Sequence, residues 1–158
     1  LPVREGHSLR PSNPYGESKL AAQTLLESTT ADRCRVAVLR FFNPVGAHES
    51  GLIGEDPRGE PGNLMPRISQ VAIGRRPSLE IFGDDYDTAD GTAVRDYLHV
   101  TDLVAAQIRA LHTLERERLI KVNLGTGRGY SVLQLVDAFS RICGRNIPRR
   151  TGRTRSTW

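Results

Sequence analysis

The chain has 158 residues, 38% of them hydrophobic and 25% charged, with 15 glycines and 9 prolines, which suits one soluble globular domain rich in turns and excludes fibrous or disordered classes. No apolar run is long enough to span a bilayer, residues 1–20 lack the order of a signal peptide, and Cys34 and Cys143 alone support neither a disulfide framework nor a cysteine metal site, so a reduced, cytoplasmic setting is the default. The net charge is +4 with a pI near 9.5, but setting aside the five arginines of residues 145–158 leaves 17 basic against 18 acidic residues, a net of −1; the basicity belongs to a Thr/Arg-rich tail with little capacity to fold, and a nucleic-acid surface is not implied for the body.

Helical and extended patterns then alternate along the chain. Asn13 can cap a first helix with Pro14 at its first position, and Leu20, Ala21, Leu25 and Leu26 supply an apolar stripe. VAVLRFF at 36–42 reads as a buried strand ended by Asn43-Pro44. About twenty Gly/Pro-rich residues follow, a length that marks a loop as functional or disordered. Leu64 to Arg75 reads as a helix with Ile68, Val71 and Ala72 inward, and Leu79 to Phe82 as a short strand. YLHV at 97–100 is the next strand, and Thr101 or Asp102 can cap a helix through Leu114. KVNL at 121–124 is extended; Ser131 and Gln134 form a capping box ahead of VLQLVDAFSRIC, which Gly144 stops. The alternation predicts an α/β protein with parallel pairing.

Among residues that could carry chemistry, Tyr15 and Lys19 in NPYGESKL come first. At i and i+4 of a helix they share a face. An ammonium beside a phenol favours its ionised form, which could exchange a proton with a substrate hydroxyl. The spacing alone favours an ordinary helix start. GTGRG at 125–129 lies between a strand and a helix, but a dinucleotide fingerprint would need its third glycine at Tyr130, so a close-packing turn is the better reading. The acidic stretch from Asp85 misplaces the ligands of a calcium loop, and His7, His48, His99 and His112 have no metal-ligand spacing.

Taken in order, NPYGESKL, LRFFNPVGAHESGLIGEDPRGEPGNLMPRISQVAIGRR, IFGDDYDTADGTAVRDYLHVTDL and VNLGTGRGYSVL closely resemble the UDP-glucose 4-epimerase family, a branch of the extended short-chain dehydrogenase/reductases, from residue 1 to about 148. The resemblance implies tightly held NAD and interconversion of UDP-glucose and UDP-galactose through a 4-keto sugar. It makes Tyr15 the acid/base, and Lys19 the residue that favours its ionised form and binds the nicotinamide ribose. Phe42 would contact the cofactor; Asn43, Asn63, Leu64 and Arg95 would contact the substrate, Arg95 at the diphosphate; and Glu80, Ile81 and Phe82 would present strand backbone to the uracil.

The implied fold is α/β: the trailing part of a Rossmann-like NAD-binding sheet in residues 1–48, to which a helix near 101–115 returns, a mainly UDP-sugar-binding unit in 49–148, and an atypical basic tail in 149–158. The family's glycine-rich phosphate loop, ribose-reading acid and catalytic Ser/Thr would precede Leu1, and RRTGRTRSTW replaces its RREGD-like segment, so the expectation is an idle piece of a commonly homodimeric enzyme. Three alternatives stay open. One is a related epimerase acting on N-acetylated UDP-hexosamines, or a 4,6-dehydratase. The second is a noncatalytic UDP-sugar-binding remnant, and the third a nucleic-acid binder using the arginine tail.

Overall fold

A computed structural model describes residues 3–29 and 34–152. Its elements are α1 (Pro14–Thr29), β1 (Val36–Phe41), β2 (Asn43–Val45), α2 (Leu64–Ala72), β3 (Leu79–Phe82), β4 (Val94–His99), α3 (Val100–Thr113), β5 (Leu119–Leu124), β6 (Gly129–Ser131), α4 (Val132–Cys143) and β7 (Arg149–Gly152). Three parallel ladders organise it: β1 beside β5, β2 beside β4, and β3 beside β7; β6 adds to β4 in the antiparallel sense. Parallel pairing needs long crossovers, and α2, α3 and α4 lie within them, α3 packed on β1, β4 and β5; α1, ahead of the first strand, packs on β1.

The tightest packing lies away from β1. Ile68 and Val71 of α2, Leu79 and Ile81 of β3, Val136 of α4 and Ile147 form one buried cluster, flanked by Leu64, Met65, Ala72, Val132, Leu133, Phe139 and Cys143. Leu79 and Ile81 alternate inward because strand side chains have period two. Ala72, expected inside, sits at the edge of this cluster.

Several elements depart from the sequence-based expectation, most of them through contacts distant in sequence. Asn43-Pro44 does not end the extended run. Phe42 N–H donates to the Leu124 carbonyl at 3.0 Å, the last rung beside β5, and Asn43 then pairs with Tyr97 of β4. The chain thus steps from one ladder to another. Strand β4 begins at Val94 rather than Tyr97 because Val94, Arg95 and Asp96 pair with Ser131, Tyr130 and Gly129. Val100 is already helical, and the cap of α3 is His99, whose Nδ1 accepts from Thr101 N–H at 3.3 Å. Its ring fits there because Gly46 opposite has no side chain; a Cβ at Gly46 would collide with the imidazole.

Arg149–Gly152 is not a solvated tail: it is strand β7, started by the Leu79 N–H donating to the Pro148 carbonyl at 2.7 Å. Arg149 pairs with Asp137 of α4 at 2.7 Å, and Arg145 donates to the Ala72 carbonyl at 2.9 Å. Arg153 and Arg155 lie outside the described residues. Of the apolar stripe expected to bury α1, Ala21, Leu25 and Leu26 stay exposed and Leu20 is half-buried, and no residue of that helix is fully buried. Gln23 and Glu27 face the sheet instead, Gln23 accepting from Arg40 at 3.0 Å and Glu27 paired with Lys121 at 3.5 Å.

Candidate functional site

Ligands of open parallel sheets sit beyond the carboxyl ends of the strands. Here the carboxyl ends of β1 and β5 run into Phe42-Asn43 and the Gly125–Gly129 turn. Between them opens a cleft of about 650 Å³ lined by Val3, Phe42, Asn43, Val94, Arg95, Asp96 and Gly127 to Gly129. Three of the residues expected at the site, Phe42, Asn43 and Arg95, therefore meet in one place.

Asp96 builds the floor. Its carboxylate accepts from Thr126 N–H at 2.9 Å, Thr126 Oγ1 at 2.7 Å and Gly127 N–H at 2.8 Å. An ion pair with Arg95, the ordinary reading of that neighbour pair, does not form; the Arg95 guanidinium donates to the Val94 carbonyl at 2.9 Å. Gly125 has no room for a methyl group, since a Cβ would strike the Phe42 ring and the Asp96 carboxylate. The GTGRG segment is thus a close-packing turn leading into β6, as its failed fingerprint suggested.

Tyr15 and Lys19 lie on the first turns of α1. Asn13 anchors that end through the Gly16 N–H, which donates to Asn13 Oδ1 at 2.8 Å. The Lys19 ammonium stands 5.1 Å from the Tyr15 ring centroid, and Tyr15 is 72% exposed. Lys19 also lines a smaller recess of about 330 Å³ with Ser8, Leu9, Gln23 and Arg40. Neither Tyr15 nor Lys19 lines the Phe42–Arg95 cleft.

The remaining candidates fall in two other places. Asn63 begins α2 without a side-chain cap, its amide donating instead to Glu55 at 2.8 Å, and it lines an apolar cavity of about 500 Å³ with Pro44, Val45, Gly46 and Val104. Most of the rest of that wall comes from His48, Ile53, Gly54 and Glu55 of the long Gly/Pro-rich loop. Leu64 leans on the α2/β3 core. On β3, Ile81 is buried while Glu80 and Phe82 are half-buried, with the Arg67 guanidinium 5.8 Å from the Phe82 ring centroid. Leu79 and Gly83 donate toward β7, so by strand alternation the main-chain groups of Glu80 and Phe82 face the opposite edge. No strand among the described residues covers that edge.

Sequence reasoning missed Asp96, Thr126 and Arg128. The only signal was the glycine spacing of GTGRG, which announced a tight approach without naming its partner. Among the described residues no group of carboxylates, histidines and cysteines could hold a metal ion, and no helix is long and apolar enough to cross a membrane.

Parallel strands crossed by helices, with a Tyr/Lys helix beside the first ladder, define an α/β protein with a Rossmann-like fold. The chain belongs to the NAD dependent epimerase/dehydratase family, whose profile matches residues 2–125. It is 52% identical over 156 residues to a UDP-glucose 4-epimerase of Yersinia pestis, the match covering 94% of this chain and 46% of that protein. The crystal structure of a UDP-glucose-4-epimerase from Stenotrophomonas maltophila with bound NAD and formylated UDP-arabinopyranose superposes with a TM-score of 0.94 at 49% identity, over 98% of this chain and 47% of the other. A Bifidobacterium longum UDP-glucose 4-epimerase in complex with NAD+ and UDP gives 0.93 at 45% identity, over 98% and 47%. The chain spans a little under half the length of the relatives it matches.

Proposed function

We propose that this chain supplies the acid/base pair and much of the nucleotide-sugar wall of an NAD-dependent UDP-glucose 4-epimerase, interconverting UDP-glucose and UDP-galactose. The observation that carries the reading is the Tyr15–Lys19 pair, with its ammonium 5.1 Å from an exposed phenol ring. The Tyr15 oxygen, open to a ligand, can in its phenolate form accept a proton from a sugar 4-hydroxyl and return it. The relatives' NAD complexes and the 52% identity to an epimerase support the choice of reaction.

The residues present fit a nicotinamide cofactor. The Lys19 ammonium suits a ribose hydroxyl, and Phe42, at the carboxyl end of β1, offers an aromatic face beside the cleft. Bound NAD would supply the hydride acceptor for carbon 4 of the sugar. Asn43 would orient the sugar through its amide, Arg95 would hold the diphosphate with its planar fork, and Asn63 and Leu64 would close the substrate side. The uracil would meet the uncovered β3 edge, where the main-chain groups of Glu80 and Phe82 offer a donor/acceptor row and Ile81 holds the strand in the core. Residues 1–48 would serve the cofactor unit and 49–148 mainly the substrate unit.

A homodimeric, cytoplasmic enzyme belongs to the same proposal. Exposed Leu25 and Leu26 on α1 offer apolar surface for pairing, and Cys34 and Cys143 are free thiols. The test is a chimera in which this chain replaces the matching part of the Yersinia pestis relative. Turnover of UDP-galactose that Tyr15→Phe abolishes is expected; a Tyr15→Phe chimera that retains NAD and turns over as fast as the unsubstituted one sinks the reading.

A further inference from the structure

We propose that Arg128 is the second cation of an anion clamp shared with Arg95, and that this clamp takes the diphosphate of the nucleotide sugar. The inference rests on the nucleotide-sugar reading above for the identity of its anion, but the clamp itself stands on geometry.

Both arginines line the cleft that Phe42 and Asn43 border. Arg95 reaches it from β4 and Arg128 from the turn that leads into β6, and Tyr130 stands beside both. Arg95 is the register partner of Tyr130 across the β4/β6 ladder, and the Arg128 guanidinium lies 5.2 Å from the Tyr130 ring centroid. Directly opposed residues of an antiparallel pair project to the same face, so Arg95 and Tyr130 stand side by side. A guanidinium stacked on a ring keeps its N–H edges free for an oxyanion, with its plane already set.

Charge points the same way. The cleft holds a single carboxylate, that of Asp96, and its oxygens are engaged by Thr126 and Gly127 rather than by either arginine. Among the described residues neither Arg95 nor Arg128 enters an ion pair. The backbone of Arg128 is held in place by its N–H, which donates to Thr126 Oγ1 at 3.2 Å, while the Thr126 hydroxyl donates to Asp96 at 2.7 Å. Two forks with no carboxylate partner, one of them on a preset turn, face a cleft of about 650 Å³ and suit an anion with several oxygens and two charges.

Calorimetric titration of the 158-residue chain with UDP, uridine and inorganic pyrophosphate, at low salt, tests this. Arg128→Gln is expected to weaken UDP and pyrophosphate roughly tenfold, as Arg95→Gln does, and to leave uridine unchanged. Arg128→Lys, which keeps charge without the fork, should recover part of the loss, and unchanged uridine binding certifies the fold of each variant. UDP binding that is the same in the wild type and Arg128→Gln overturns the clamp and leaves the nucleotide-sugar reading standing. Arg128-dependent pyrophosphate binding with no added affinity for UDP supports the clamp and removes the nucleotide. Absence of binding for all three ligands by the folded wild type overturns both.

Discussion

The proposed proton transfer rests on two residues of one helix, Tyr15 and Lys19. The helix spacing sets one on the other's face, Asn13 fixes the helix start, and the Lys19 ammonium stands 5.1 Å from the ring centroid. The proposed chemistry uses the phenol oxygen itself as the group that takes and returns the proton. In the chimera, Tyr15→Phe is therefore expected to lower kcat by at least about 100-fold with NAD still bound, whereas Lys19→Met lowers it less and also weakens cofactor retention. Rapid-quench turnover and the absorbance of bound nucleotide separate the two effects. Gly125 is the other residue on which the site depends. Gly125→Ala drives a methyl group against Phe42 and Asp96, so it should cost about 1–3 kcal/mol of stability, read as a lower urea midpoint.

At the scale of elements, what could be read in advance was what the chain decides locally. Helix α4 carries its start and stop within its own sequence. Ser131 Oγ accepts from Gln134 N–H at 3.1 Å, the Gln134 side chain accepts from Ser131 N–H at 2.9 Å, and Gly144 takes a left-handed φ of 63°. Strands β6 and β7 carry no such signal. Gly129–Ser131 and Arg149–Gly152 are extended only because β4 and β3 lie beside them, and no local pattern announces a partner tens of residues away. The same holds for the site: Tyr15–Lys19 is a spacing within one helix, while the Asp96–Thr126 clasp joins β4 to the turn after β5, residues that the sequence keeps 30 positions apart.

The cap of α4 also ties two elements together, since Ser131 Oγ donates to Asp90, whose other carboxylate oxygen accepts from Thr92 N–H at 2.9 Å and Thr92 Oγ1 at 2.7 Å. These bonds, that of Ser131 foremost, hold the Asp90 carboxyl below its ordinary range. A folded-state value that is depressed contributes stability above the unfolded value and loses it as pH falls through the folded one. Melting followed by circular dichroism should thus show acid destabilisation below about pH 4 that Asp90→Asn diminishes. Ser131→Ala, which removes the cap and the Asp90 contact together, is expected to cost about 1–2 kcal/mol at neutral pH.

For the whole molecule, packing is divided unevenly, and this decides how the chain behaves alone. One side has a closed core in which Ile68 is 0% exposed, and Ile68→Ala there should cost about 3 kcal/mol. On the other side, α3 presents Val104, Ile108 and Leu111 at helical spacing, between 47% and 66% exposed, and α1 presents Leu25 at 66%. Apolar stripes at that spacing ordinarily lie against another element. The cofactor side is equally open: the GTGRG turn is clasped by Asp96 and runs into β6, so among the described residues no glycine-rich turn leads straight into a helix N-terminus that could cradle a pyrophosphate. The purified chain should therefore keep the helical signal of its closed core, bind the apolar dye ANS, and carry no stoichiometric NAD. The chimera with the Yersinia pestis relative should lose the dye and retain the nucleotide. Dye fluorescence and the nucleotide content of the two proteins check this directly. A chain that excludes dye and copurifies with NAD would mean that these stripes need no further cover and that residues 1–158 hold the cofactor unaided.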